Sequence, residues 1–196
     1  MAEQITVTCK PTQLIYKSTS RQLFTSNSWD NDVNTYDSPG VSAGERPQTL
    51  LLNLSAVPKN AVIKKVKYRL LLYRTGNASF CELGMALGYA DSISNSINAQ
   101  HRVTDFQSIG LSAYKTKEET YAEQSISSAQ SAQLLNAQYP IVWMNCYGSM
   151  RFYEIYVDVT YEIPKGEIYV GDKQATEVYV GTKKASAVYI GTTKVL

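Results

Sequence analysis

Histidine is nearly absent from this chain: its 196 residues include one, His101. A catalytic triad or a histidine-rich metal centre has little to be built from. No Gly-x-Ser-x-Gly motif supports the Ser-His-Asp or Cys-His pairings that His101 permits on paper, so no enzyme is expected. Cysteine is scarce as well. Cys9, Cys81 and Cys146 form an odd set without close spacing, which argues against a zinc site or a disulfide framework. They read as three structural thiols of a chain folded in a reducing cytosol. Charge is thin, at 18% of residues against a usual ~25%, and the net charge is +2. No basic stripe or tail marks a phosphate-binding surface, and no nucleic-acid partner is expected. No apolar run approaches the ~20 residues of a membrane helix. The start, Met-Ala-Glu-Gln-Ile-Thr-Val, lacks a basic region followed by an apolar one, so no secretory leader is expected. A protein of this kind acting outside a cell leaves by lysis or inside a particle. Gly84 and Gly88 are too sparse for a phosphate-binding loop, and no cofactor is expected.

What the chain does have is tyrosine, 15 in all, with many Ser, Thr, Asn and Gln. That mixture favours strands with wet faces. The clearest strand runs from Arg151 to Pro164. Tyr153, Ile155, Val157, Val159, Tyr161 and Ile163 share one parity; Phe152, Glu154, Tyr156, Asp158, Thr160 and Glu162 share the other. Side chains alternate across a strand, so this reads as one apolar and one polar face, ended by Pro164. A second long strand spans Ala61 to Arg74, with Val62, Val66, Tyr68, Leu70 and Leu72 inward and Lys65, Lys67, Arg69, Leu71 and Tyr73 outward. Shorter strands are expected at Gln4 to Cys9, Thr49 to Leu54, Phe80 to Tyr89 and Ile141 to Cys146, the last a buried strand holding Trp143. Val57 to Asn60 turns the chain. Ser26 to Arg46 and Asp91 to Gln107 read as polar loops. Ser127 to Asn136 permits one short helix, with Ala129, Ala132 and Leu135 on one side. The expected class is all-β: a jelly-roll or β-sandwich domain over residues 1–164, whose two long strands can belong to facing sheets, then a short C-terminal β-repeat over 165–196.

That tail reads Glu-Ile-Tyr-Val-Gly-Asp-Lys-Gln-Ala-Thr from Glu167, then Glu-Val-Tyr-Val-Gly-Thr-Lys-Lys-Ala-Ser, then Ala-Val-Tyr-Ile-Gly-Thr-Thr-Lys-Val-Leu. The period is ten, so equivalent side chains keep equivalent faces. Tyr169, Tyr179 and Tyr189 coincide, as do Val170, Val180 and Ile190, and Gly171, Gly181 and Gly191. Each unit supplies a strand and then a glycine-led bend. Units this short bury little alone, so the tail is expected to dock on something. Its Tyr, Val and Ile residues are the candidate assembly interface.

Other constellations compete with bland readings. Glu154, Asp158 and Glu162 lie on the wet face and are more simply partners of Lys65, Lys67 and Arg69 than a glycosidase pair; Glu118 and Glu119 are merely adjacent. Asp30-Asn-Asp32-Val-Asn34 starts like a calcium loop but has Thr35 and Val41 where Gly and Glu belong, so no metal is expected. Trp29, Asp30, Asp32 and Tyr36 form either a sugar platform or a plug at one end of the sandwich.

Two stretches carry a resemblance. Val57 to Tyr73, Val-Pro-Lys-Asn-Ala-Val-Ile-Lys-Lys-Val-Lys-Tyr-Arg-Leu-Leu-Leu-Tyr, resembles a strand of the carbohydrate-module-like jelly-rolls found in surface and phage proteins. The likeness extends diffusely from Thr49 to Ile163 and carries no catalytic residues. The repeat of apolar-Tyr-apolar-Gly-polar-Lys from Gly166 to Leu196 is similar to those ending structural proteins of phages and phage-like particles of Gram-positive bacteria. The resemblance implies a non-enzymatic virion structural protein: a decoration, fibre or baseplate component, assembled in a bacterial cytoplasm beside other virion proteins and further copies of itself. The rival expectation is an adhesion module that recognises a host cell-wall glycan.

Overall fold

The structure is a computed structural model that describes residues 4–17, 24–38, 47–75, 82–94, 96–164 and, in the tail, 168–170, 173–175, 179–180, 183–184, 189–190 and 193–194. The expected strand at Phe80 and Cys81 begins outside those residues. Ten strands and one helix precede the tail: β1 (Gln4–Cys9), β2 (Pro11–Lys17), β3 (Pro47–Leu52), β4 (Val62–Arg74), β5 (Glu82–Ala90), β6 (Gln100–Arg102), β7 (Gln107–Ser108), β8 (Lys117–Ser125), α1 (Ser128–Asn136), β9 (Tyr139–Tyr147) and β10 (Met150–Glu162). They form two antiparallel sheets, one ordered β1-β10-β4-β8 and one ordered β2-β3-β9-β5-β6, with β7 also on β5. The sheets face one another as a sandwich. Its core takes Val66, Tyr68, Leu70 and Leu72 from β4, Ile155, Val157 and Val159 from β10, Leu50 and Leu52 from β3, Met85 and Leu87 from β5, and Val142 and Met144 from β9.

The two long strands do not lie in facing sheets but pair with each other in one, and not with the uniform alternation expected. The β4–β10 register slips between Thr160/Lys65 and Tyr161/Ile63. An irregularity of this kind reverses the parity of the residues beyond it. Ile63 is therefore fully buried, and Val62 is only half-buried. A second slip lies between Phe152 and Glu154. It turns Phe152 into the core, where its ring meets Phe24 edge-on at 4.9 Å. Beyond that bulge the wet face resumes.

Four strands were not anticipated: β2, β8, and the short β6 and β7, which pair with β5 within and at the end of the stretch Asp91 to Gln107 expected to be a polar loop. β2 follows β1 after Lys10 alone and carries the chain into the other sheet. β8 is the outermost strand of its sheet and alternates between exposed and half-exposed residues, so no apolar period marks it. The helix stands where the pattern placed it. Ser127 caps it with a full capping box, since Gln130 N donates to Ser127 Oγ and Ser127 N donates to Gln130 Oε1. Its buried residues are Ser131, Leu134 and Leu135, whereas Ala129 and Ala132, expected on one side with Leu135, are exposed.

Each tail unit is a two-stranded antiparallel hairpin rather than one strand and a bend. β11 (Ile168–Val170) pairs β12 (Lys173–Ala175), β13 (Tyr179–Val180) pairs β14 (Lys183–Lys184), and β15 (Tyr189–Ile190) pairs β16 (Thr193–Lys194). The register repeats: Tyr169 opposes Gln174, Tyr179 opposes Lys184, and Tyr189 opposes Lys194. The Tyr, Val and Ile positions singled out in the sequence are thus equivalent strand positions.

Candidate functional site

Four surfaces merit description, beginning with the loop over residues 24–38. It is pinned to β10 by Asp37. The Asp37 and Phe152 backbones bond reciprocally, at 2.9 and 2.8 Å. The buried Asp37 carboxylate accepts from Thr25 N at 2.8 Å, Thr25 Oγ1 at 2.6 Å and Ser28 Oγ at 2.6 Å. So anchored, the loop divides the four candidate glycan residues. Trp29 is half-buried and packs on the core. Asp30 and Asp32 turn inward on their own loop: Asp32 N donates to Asp30 Oδ1, Thr35 Oγ1 to Asp30 Oδ2, and Asn34 N to Asp32 Oδ1. Those donors hold the Asp30 carboxyl below its ordinary range, the Asp32 backbone bond foremost. Tyr36 alone presents an exposed ring, 5.3 Å from Tyr153 and capped by the Arg151 guanidinium at 4.6 Å.

The outer face of the four-stranded sheet carries the charges. Arg69 bonds Asp158 and Glu119, Lys65 meets Glu123, and Lys64 rather than Lys65 meets Glu162. Lys67 instead lies over the Tyr121 ring at 3.9 Å. The Asp158 bond is the largest influence raising the Arg69 guanidinium pKa. Glu154 is unlike its neighbours. It is 1% exposed; among the described residues neither carboxylate oxygen has a hydrogen-bond donor, and Lys10 Nζ stands 3.8 Å away. Lys10 also bonds Asn31. Lys10 thus links the loop to β10.

The outer face of the other sheet holds what the sequence concealed. Val142, Met144 and Cys146 point into the core, so alternation sends Ile141 and Trp143 to the opposite side. Trp143 lies between Thr49 and Ala86 in register, and Ile141 between Leu51 and Gly88. The same face of β5 carries Gly84, Ala86, Gly88 and Ala90, whose small size lets the Trp143 indole and the His101 main chain pack directly on the strand. The sheet curls over the indole. Gln100 of β6 accepts from Thr49 Oγ1 of β3 at 3.1 Å although β9 and β5 lie between. A Cβ on Gly88 would overlap the His101 carbonyl oxygen and stand 2.9 Å from Trp143 Nε1, so only glycine fits. Trp143 Nε1 and Gln100 Nε2 are buried donors without a partner among the described residues. An aromatic inside an apolar-looking strand gives no sequence signal for such close packing; the small residues at every second position of β5 were its one legible trace.

The fourth surface is a cleft of about 550 Å³ between the turn after β3 and the end of α1. Leu51, Leu54, Val57, Leu135, Tyr139 and Pro140 contribute to its walls, and Ser55, Lys59 and Gln138 to its polar lining.

No protein-family model and no curated protein matches this chain. Among solved structures it is similar to the N-terminal CBM22-1–GH10 modules of endo-1,4-beta-D-xylanase 10B from Clostridium thermocellum, complexed with xylohexaose. Identity is 14% and the TM-score is 0.31. The match covers 81% of this chain and 30% of that one, so this chain spans less than a third of its length. The likeness is distant and concerns the β-sandwich alone.

Cys9 and Cys146 are buried free thiols, and burial pushes the first up to about 11 and the second to about 12. His101 Nε2 stands 2.7 Å from Asp91 Oδ2, its ring stacked on Tyr89 at 4.8 Å. Among the described residues no group of three His, Cys, Asp or Glu is placed to hold a metal, and no helix is long and apolar enough to cross a membrane, which says nothing of a β-barrel.

Proposed function

We propose that this chain is a non-enzymatic structural module, carried in a larger particle through its C-terminal repeats, and that the particle is a virion or a phage-like assembly. The observation that carries the reading is the repeated hairpin. Three units hold one register, each with strands of two or three residues. Hairpins that short are marginal alone, and their main-chain edges are natural acceptors for a neighbour's strand. The Tyr-centred repeat also supplies the resemblance to particle proteins. The test is incorporation of full-length chain carrying Tyr169→Ser, Tyr179→Ser and Tyr189→Ser. The variant should fold, by far-UV circular dichroism, yet be missing from purified particles that contain the unsubstituted chain. Ordinary incorporation overturns the reading.

One observation favours a second reading, recognition of a cell-wall glycan. The half-buried Trp143 ring belongs to the same face as Gln100, and Trp143 Nε1 and Gln100 Nε2 are buried donors without a partner among the described residues, groups that a hydroxyl-bearing ligand would pair. On an array of bacterial wall polysaccharides, Trp143→Ala should abolish binding and Trp29→Ala should spare it. A chain that binds no polysaccharide removes this reading.

A further inference from the structure

Lys10 is the one residue between β1 and β2, and the chain is fixed on both sides of it. Cys9 pairs with Val157, Pro11 pairs with Leu52, and the Lys10 carbonyl accepts from Asn53 N at 3.0 Å. Its side chain meets groups from two other elements. Nζ donates to Oδ1 of Asn31, in the 24–38 loop, and lies 3.8 Å from Oε2 of Glu154 on β10. The Tyr156 ring, its centroid 4.6 Å from Nζ, closes a third side. Asn31 holds φ at 69°, a left-handed conformation that asparagine tolerates. Asp37 and Ser28 tie its loop to Phe152. Three elements far apart in sequence thus bring together an amine, a carboxamide and a carboxylate. A simple ion pair accounts poorly for the carboxylate. Glu154 is 1% exposed, and neither oxygen has a hydrogen-bond donor among the described residues, a costly arrangement for a charge that serves only as a counter-ion.

We infer that Lys10 and Asn31 join as an intramolecular amide, with Glu154 as the catalytic acid and base. The bond is independent of both readings above. The Asn31 carbonyl carbon is one bond beyond the oxygen that Nζ touches, so nucleophile and electrophile are held at near-attack range. Glu154 accepts a proton from the Lys10 ammonium, which frees the Nζ lone pair. That transfer turns a buried ion pair into two neutral groups, which a desolvated site favours. Nζ then adds to Asn31 Cγ. Glu154 carries a proton from Nζ to the Asn31 amide nitrogen, and the tetrahedral centre collapses with ammonia leaving. One C–N bond forms and one breaks. The balance is ammonium plus carboxamide giving secondary amide plus ammonium ion, with Glu154 returned to its starting form and no oxidant or cofactor consumed. Asn31 is exposed, so the ammonia escapes to water and its dilution draws the reaction forward. Asp30, next in the loop, is no rival electrophile: donors of its own loop hold it as a carboxylate, which resists nucleophiles. The amide closes residues 10–31 into a ring and fastens the loop to the crossover between the sheets.

The test is mass spectrometry of the full-length chain, intact and digested. Relative to Lys10→Arg chain, after allowance for the exchanged side chain, the unsubstituted chain should be lighter by about 17 Da, one ammonia. Trypsin should release the segments holding Lys10 and Asn31 as a single branched peptide. Glu154→Gln chain, folded by far-UV circular dichroism, should form at least about tenfold less of that peptide. Unsubstituted chain at its full sequence mass overturns the inference. So does ammonia loss without the branched peptide, which marks a succinimide at Asn31 instead. A folded Glu154→Gln chain that forms the bond as completely as the unsubstituted one also overturns it. Where that variant does not fold, the branched peptide of the unsubstituted chain decides alone: its presence upholds the bond and its absence removes it.

Discussion

Removing the Asp37 carboxylate tests how the 24–38 loop is fixed. Asp37 is 5% exposed, and its oxygens take three hydrogen bonds between 2.6 and 2.8 Å. A hydrogen bond to a charged group is worth about 1.5–3 kcal/mol net. The three share one carboxylate and do not add, and Ser28 Oγ keeps a second acceptor in the Phe152 carbonyl at 3.2 Å. Asp37→Ala should therefore cost about 3–4 kcal/mol, near 10 °C in Tm for a chain this long. Asp37→Asn should cost about half, because the hydroxyls can turn to accept from the amide. Urea unfolding gives the energies. A double-mutant cycle supplies the sharper check: Ser28→Ala should cost at least about 1 kcal/mol less in the Asp37→Ala background than in the unsubstituted chain. The Tyr36–Tyr153 contact, 5.3 Å between rings, should loosen along with the anchor, lowering near-UV circular dichroism. A loss under about 1 kcal/mol, or strict additivity with Ser28→Ala, would refute the account of the carboxylate as hub.

Three further outcomes are expected from the same geometry. Gly88→Ala should destabilise by about 3 kcal/mol or more, because the new methyl meets the His101 main chain rather than a yielding side chain; a neutral result in urea melts contradicts the curled sheet. In Asn31→Ala chain, where the amide to Lys10 cannot form, Glu154→Leu should be neutral or stabilising by about 1 kcal/mol, since the buried carboxylate has one lysine at 3.8 Å and no hydrogen bond among the described residues to offset its desolvation; a large loss in thermal unfolding shows a partner that this reading omits. Cys9 and Cys146 titrate upward from 9.0 to about 11 and about 12. Raised acid pKa values favour the protonated fold, so their contribution is complete below pH 9 and fades as pH climbs through 11 and 12. Urea midpoints should fall over that interval, and both thiols should resist alkylation until the chain unfolds; rapid native labelling of either, located by mass spectrometry, counts against their burial.

Much of this fold was legible because a half-buried strand writes its period into the sequence. β10 and β4 announced themselves that way, and the helix was expected at its place from the spacing of Ala129, Ala132 and Leu135, although only Leu135 of these is buried. What stayed hidden had physical causes. Both register slips between β4 and β10 are invisible to parity counting, since either phase looks apolar until the partner strand is known: Ile63 and Val62 are equally apolar, and Phe152 was grouped with Glu154 by number alone. β8 has no apolar face to read, and Lys10 is too short a break to show that β1 and β2 enter different sheets. The site fared likewise. Loop composition drew attention to Trp29, which packs inward, whereas Trp143 sat in a run that looked like core. The tail's ten-residue period is plain in the sequence, but nothing in it says whether a unit is one strand or two.

The claim at the centre is that residues 168–194 gain their stability from a neighbour. Amide hydrogen exchange on the full-length chain, dilute and then assembled, measures it directly. The account predicts tail amides that exchange almost freely in dilute chain, against strong protection in β4 and β10, and that become protected on assembly. Tail amides as slow as those of β10 in dilute monomer would contradict it.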